Sequence, residues 1–90
     1  MRRIHVLISG KVQGVAFRHD TQRTALSLNL TGWVKNLPNG RVEAVFEGEN
    51  DSIDAMRAWC SKGPPLAHVL HVDIQEKSYK GEFSDFRVLL

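Results

Sequence analysis

Three stretches of the chain alternate apolar and polar residues, a pattern that predicts strands with one buried face. They are Ile4–Ile8, Val42–Phe46 and His68–Gln75, the last with Leu70, Val72 and Ile74 on its apolar side. A further strand is predicted at Gly32–Leu37, because the turn sequence Pro38-Asn39-Gly40 joins it to the second alternating stretch as a hairpin. A short last strand is expected at Phe83–Leu89.

Two other stretches repeat apolar residues at helical spacing. The first helix is predicted at about Asp20–Leu28, and Asn29 is a suitable left-handed residue at its C-terminal end. The second helix follows a polar cluster at residues 48–52 and ends at Lys62-Gly63-Pro64. Its apolar face carries Ile53, Met56, Trp59 and Cys60.

The order of these elements is βαββαβ followed by one extra strand. Two helices packed on one face of a mostly antiparallel sheet would cover all of the apolar faces. The sequence therefore predicts an α+β protein with a ferredoxin-like sandwich and a short extra C-terminal strand. We expect a single domain over residues 1–90, a length that suffices for one core.

Composition narrows the function classes. Hydrophobic residues make up 42% and charged residues 24% of the chain, which is typical of a soluble globular protein. The net charge of +2 comes without a basic block, which speaks against nucleic acid as a partner. We find no membrane-spanning or signal segment, and the single cysteine favours the reducing cytoplasm.

The loop between the first strand and the first helix carries the strongest chemical pattern. It reads Gly10-Lys11-Val12-Gln13-Gly14-Val15-Ala16-Phe17-Arg18. Its glycines permit unusual backbone conformations, and a helix N-terminus presents unpaired N–H groups. The guanidinium of Arg18 suits the oxygens of a phosphate. The loop is therefore predicted to form an oxyanion-binding cradle, which we call the cradle loop (residues 10–18).

This loop resembles the signature of the acylphosphatases, small enzymes that hydrolyse the carboxyl–phosphate bond of acyl phosphates. Further resemblances to the same family lie in Thr31–Leu37, Gly63-Pro64-Pro65 and Phe83–Phe86, so the match runs from about Ile4 to Phe86. The resemblance implies the ferredoxin-like fold, acylphosphatase activity and a small-molecule acyl phosphate as substrate. It implies no cofactor and no metal.

The resemblance also implies roles for individual residues. Arg18 is expected to bind the phosphoryl group, and Asn36 to orient the attacking water. The backbone cradle is assigned to Gln13, Gly14, Val15, Ala16, Phe17 and Arg18. A direct in-line attack of water on phosphorus needs no general base, because the carboxylate of an acyl phosphate is a good leaving group.

Structural interpretations of the same residues are simpler. Arg18 would be an exposed arginine at a helix start, and Asn36 a turn residue before Leu-Pro. His19 is expected to point outward rather than to act as a nucleophile or an acid. Asp20 suits a helix N-terminus, but a carboxylate beside the cradle would oppose phosphate binding.

Metal binding and thiol chemistry are disfavoured. His68 and His71 are separated by an odd number on a predicted strand, so they should face opposite sides. Cys60 is expected to be a core thiol on the apolar face of the second helix.

Two rival functions use the same fold. RNA-recognition modules carry paired exposed aromatics on central strands, whereas the third strand here carries two glutamates. A non-catalytic acylphosphatase-like phosphate-binding domain of a larger maturation protein is the second rival. The chain ends at Leu90 with no linker to a further domain, so we expect a free-standing enzyme. We also expect it to be a monomer.

Overall fold

Five strands and two helices follow the predicted order in a computed structural model, which describes residues 1–89. The strands are β1 (Arg2–Lys11), β2 (Thr31–Asn36), β3 (Val42–Gly48), β4 (His68–Lys77) and β5 (Phe86–Val88). The helices are α1 (Phe17–Ser27) and α2 (Asn50–Lys62). Leu90, the last residue of the predicted domain, lies outside the described residues.

The five strands form one sheet in the order β4-β1-β3-β2-β5. β1 pairs antiparallel with β3 and β4, β2 pairs antiparallel with β3, and β5 joins parallel to β2. The mostly antiparallel sheet with an extra C-terminal strand is thus confirmed. In this register Val42 pairs with Ile8 on one side and with Asn36 on the other. The end of β1 and the end of β2 therefore lie at the same end of the sheet.

The core lies between one face of the sheet and the two helices. The sheet contributes the alternating residues predicted from the sequence, Ile4, Val6, Ile8, Val34, Val42, Ala44 and Phe46, all of them fully buried. The helices contribute Phe17, Ala25, Ile53, Met56 and Cys60. One aromatic pair joins the two helices, with the ring centres of Phe17 and Trp59 5.4 Å apart in an edge-on arrangement. A second pair joins two strands, with the stacked rings of Phe46 and Phe86 5.3 Å apart.

Helix α1 begins at Phe17, three residues before the predicted start at Asp20. The backbone N–H of Asp20 donates to the carbonyl of Ala16 at 3.0 Å, which makes Ala16 the N-cap residue. An alanine offers no capping side chain, so the usual sequence signal for a helix start is missing here. The other end follows the prediction, because Asn29 adopts a left-handed conformation with φ 58°.

Strand β4 departs from the simple alternation that the sequence suggested. Its register shifts between Ser9 and Gly10 of β1, so that Gly10 pairs with Val69 and Leu70 has no place in the ladder. Leu70 is 80% exposed, whereas Val69, Val72 and Ile74 pack against the core. The prediction that placed Leu70 on the apolar side is wrong, because a β-bulge moves it to the other face.

The last strand is shorter than predicted, at three residues instead of Phe83–Leu89. The guanidinium carbon of Arg3 lies 5.2 Å from the centre of the Phe83 ring, on the face of the sheet opposite the helices. On that same face the backbone N–H of Lys80 donates to Glu47 at 3.0 Å, and Glu47 is only 1% exposed. The loop after β4 therefore covers part of the face that the sequence suggested was open.

Gly10 allows the close approach of β1 and β4, and replacing it should be costly. A Cβ at Gly10 would lie 2.1 Å from the carbonyl oxygen of His68, and φ is +127°. At Gly40 φ is +88°, but no described atom lies within 4 Å of an added Cβ.

We expect Gly40→Ala to lower the free energy of unfolding by about 1–2 kcal/mol, because only backbone strain is introduced. Gly10→Ala should lower it by about 4 kcal/mol or more, because the added Cβ also collides with backbone. Urea unfolding of both variants measures this, and equal losses would contradict the close approach.

Candidate active site

A cleft of about 300 Å³ opens at the end of the sheet where β1 passes into α1. Its volume is at the lower end of the range for small-molecule sites, so it suits a small ligand. The lining residues come from the cradle loop, from the start of α1 and from two strand ends: Val12, Gly14, Ala16, Phe17, Arg18, His19, Asn36 and Val88.

The backbone of the cradle loop adopts the left-handed conformation at two positions shortly before the helix. Gly14 has φ 74° and Ala16 has φ 63° with ψ 22°, while Val15 between them is not in the positive region. Successive residues of alternating hand turn their N–H groups towards one point and form an anion-binding concavity. The left-handed conformation costs a non-glycine residue about 1–2 kcal/mol. Such local strain is concentrated at binding and catalytic sites.

The N-terminus of α1 adds to this concavity. The first helical hydrogen bond runs from Asp20 to Ala16, so the N–H groups of Phe17, Arg18 and His19 precede it and have no helical acceptor. They carry the positive end of the helix dipole into the cleft. The backbone alone therefore makes this wall of the cleft attractive to an anion.

Arg18 lies in the first turn of α1, where its positive charge opposes the helix dipole. One guanidinium nitrogen, Nη1, donates to the carbonyl of Leu89 at 3.1 Å, which steers the side chain across the end of β5. The guanidinium has further N–H donors in a planar fork. An anion in the cleft would accept from them and would remove the unfavourable charge at the helix start.

Asn36 is the last residue of β2 and lines the same cleft. Its side-chain oxygen Oδ1 is buried, and no residue in 1–89 donates a hydrogen bond to it. A buried polar atom without a partner costs about 1–3 kcal/mol, and native structures contain few of them. A donor such as a water molecule in the cleft would satisfy this oxygen.

The structure brings together five of the seven residues predicted for the site. Gly14, Ala16, Phe17, Arg18 and Asn36 line the cleft. The other two, Gln13 and Val15, do not appear among the lining residues of the described chain. Val15 packs against the core, and Gln13 directs its side-chain amide to the β2–β3 hairpin.

Three lining residues were missed by sequence reasoning. Val12 follows β1 directly, and its burial could have been inferred from the apolar run before it. His19 was expected to point outward, and it is exposed while also lining the cleft. Val88 reaches the site through its parallel pairing with Val34, which the residue pattern of a three-residue strand does not indicate. The lining residues of the described chain do not include Asp20, and the effect of its carboxylate on phosphate binding stays a prediction.

The described part of the chain offers little basis for metal or thiol chemistry. Residues 1–89 contain no group of three or more metal-ligating side chains. Neither described helix has the length and apolar character needed to cross a membrane. Cys60 is fully buried, as predicted, and its burial raises the pKa of the thiol to about 12. A protonated core thiol is not a nucleophile at neutral pH.

The structure is a small ferredoxin-like α/β sandwich with a cleft at the start of α1. The family model for acylphosphatase matches residues 4–88. An acylphosphatase of Syntrophus aciditrophicus is 55% identical over 99% of this chain and 93% of its own length. The chain belongs to the acylphosphatase family, and it is a hydrolase of acyl phosphates.

Solved structures show the same fold at both close and distant sequence similarity. The acylphosphatase of Coxiella burnetii is 50% identical, with a TM-score of 0.93 over 98% of this chain and 92% of that one. The acylphosphatase of Bacillus subtilis is only 30% identical, yet its TM-score is 0.96 over the full length of both chains. The predicted ferredoxin-like fold is confirmed.

The raised pKa of Cys60 gives a pH-dependent prediction. Between pH 7 and pH 9 the folded protein should react with a disulfide reagent far more slowly than the unfolded chain, because the thiolate forms only near pH 12. The colour released by such a reagent, followed with and without urea, measures the difference. Rapid reaction of the folded protein at pH 8 would contradict the burial of Cys60.

Proposed function

We propose that this acylphosphatase hydrolyses its substrate by direct attack of water on phosphorus. Arg18 and the backbone N–H groups of residues 13–18 bind the phosphoryl group, and Asn36 holds the attacking water. The bond between phosphorus and the water oxygen forms as the bond between phosphorus and the carboxylate oxygen breaks. The products are a carboxylate and inorganic phosphate.

The observation that carries this proposal is the unpaired Oδ1 of Asn36 in the cleft that Arg18 also lines. A water that donates to Oδ1 keeps a lone pair free to attack. The groups suited to an anion, namely Arg18, Gly14 and Ala16, line the same cleft. The cleft thus offers groups for both reactants, an anionic phosphoryl group and a neutral water.

Positioning and charge stabilisation suffice for this reaction. Negative charge on the phosphoryl oxygens is stabilised by the guanidinium and by the backbone dipoles, which are fixed before the substrate arrives. Holding the water in line with the leaving carboxylate supplies the entropic part of the rate acceleration. The proton of the water passes to the substrate itself, so His19 at the mouth of the cleft is not needed as a base.

The substrate is a small-molecule acyl phosphate, in keeping with the family. The absence of nucleic acid as a partner, the monomeric state and the location in the cytoplasm stay predictions from the sequence. So does the extent of the domain over residues 1–90.

The division of roles is tested by hydrolysis of benzoyl phosphate. We expect Arg18→Ala to weaken inhibition by inorganic phosphate and to lower kcat/KM by about 100-fold or more, because it removes a charge that binds the phosphoryl group. We expect Asn36→Ala to lower kcat by about 100-fold, because the water is no longer oriented. Its inhibition constant for inorganic phosphate should change by less than about threefold.

Two exposed residues provide matched controls. Arg23→Ala removes the same charge from the same helix α1, and Asn50→Ala removes the same amide at the start of α2. Both should retain the activity of the unaltered protein. If folded Asn36→Ala turns over at nearly the full rate, Asn36 does not hold the attacking water.

A further inference from the structure

The Gln13 side chain joins the cradle loop to the β2–β3 hairpin. Its amide nitrogen Nε2 donates to the carbonyl of Leu37 at 2.8 Å and to the carbonyl of Arg41 at 2.9 Å. These two carbonyls belong to opposite sides of the hairpin, where the N–H of Leu37 also donates to Arg41 at 2.8 Å. Both hydrogens of the amide are therefore used, one for each side.

The two Gln13 hydrogen bonds join chain segments that lie directly beside residues lining the cleft. Leu37 directly follows Asn36, and Arg41 directly precedes Val42, the residue that pairs with Asn36. Gln13 itself precedes Gly14, the first cleft-lining glycine of the cradle loop. Within residues 1–89, the two Gln13 bonds are the only side-chain hydrogen bonds between the cradle loop and the hairpin.

We propose that Gln13 is a positioning residue that sets the distance between the bound phosphoryl group and the water held by Asn36. The inference rests on the proposed roles of Arg18 and Asn36. The side chain of Asn36 has no described partner at Oδ1, so its placement depends on the backbone of the hairpin end. Gln13 fixes that backbone against the loop that binds the phosphoryl group. The side chain of Gln13 acts on the geometry between the two reactants and touches neither of them, since both hydrogens of its amide bond to hairpin carbonyls.

This role separates turnover from phosphate binding. Without the link, the loop keeps its own conformation, the helix N-terminus and Arg18, so the phosphoryl group still binds. The water then sits at a less well-defined distance from phosphorus, and small misplacements of reacting groups lower rates steeply. A purely structural role for Gln13 would affect binding and turnover together.

The test replaces Gln13 with methionine, which has similar length but no donor. We expect Gln13→Met to lower kcat for benzoyl phosphate by about 10- to 100-fold. Its inhibition constant for inorganic phosphate should change by less than about threefold. The matched control is Gln22→Met, since the Gln22 amide donates to the Phe86 carbonyl at 3.0 Å without touching the hairpin. It should keep the kcat of the unaltered protein.

A second variant restores donors at the same position. In Gln13→Lys the ammonium group can donate to both carbonyls, and we expect it to recover most of the turnover lost in Gln13→Met. If the methionine variant fails to fold, Gln13→Leu, which also lacks a donor, takes its place and is judged by the same two measurements. A Gln13→Met variant with unchanged kcat, or with kcat and phosphate inhibition weakened equally, would overturn the inference.

A double-mutant cycle distinguishes failure of this inference from failure of the proposed function. If Gln13 acts through Asn36, Gln13→Met should have less than about a twofold effect in the Asn36→Ala background. If Asn36→Ala alone keeps full turnover, the proposed function fails. If Asn36→Ala loses turnover but Gln13→Met retains its full effect beside it, only the role of Gln13 fails.

Discussion

The pairing of Val42 with two strands at once is the constraint on which the site depends. Ile8 on one side and Asn36 on the other are both in register with this fully buried residue. Neighbouring strands lie about 5 Å apart, so the two partners are separated by about 10 Å across the sheet. The cradle loop starts two residues after Ile8. A shift of one residue in the β2–β3 pairing would turn Asn36 to the other face of the sheet and away from the cleft.

Three departures from ordinary packing meet at this end of the sheet. Ala16 adopts a left-handed conformation, Arg18 opposes the dipole of its own helix, and Asn36 buries an oxygen without a described partner. Each of these features is unfavourable in the free protein. A bound phosphoryl group and an ordered water would offset the last two. Strain and unpaired polar atoms that coincide in one cleft point to function more strongly than any one of them does.

Most of the architecture could be predicted from the sequence because it depends on residue period. The alternation in β1 and β3 and the helical spacing in α2 placed the core correctly. The predictions failed where a single residue changes the local geometry. Ala16 caps α1 through its backbone, so its side chain gives no sequence signal for a helix that starts at Phe17. The bulge at Leu70 depends on the approach of Gly10, which involves a distant strand.

The site was predictable to a different degree. Arg18 was already a candidate from the pattern of the cradle loop, whereas Asn36 became one only through the family resemblance, because an asparagine before a turn is not distinctive by itself. Val88 could not be found, because its place depends on a parallel pairing between β5 and β2. The side-chain role of Gln13 was also hidden, because its partners are backbone carbonyls about 24 and 28 residues further along the chain.

Titration of the ¹⁵N-labelled protein with inorganic phosphate tests the central claim most directly. The protein offers a second cavity of about 400 Å³ on the other face of the sheet, lined in part by Arg3, Lys77 and Lys80. If the cradle loop and the start of α1 bind the phosphoryl group, the largest amide shifts should fall on residues 13–18. Shifts concentrated on the residues of the second cavity, with residues 13–18 unmoved, would contradict the account.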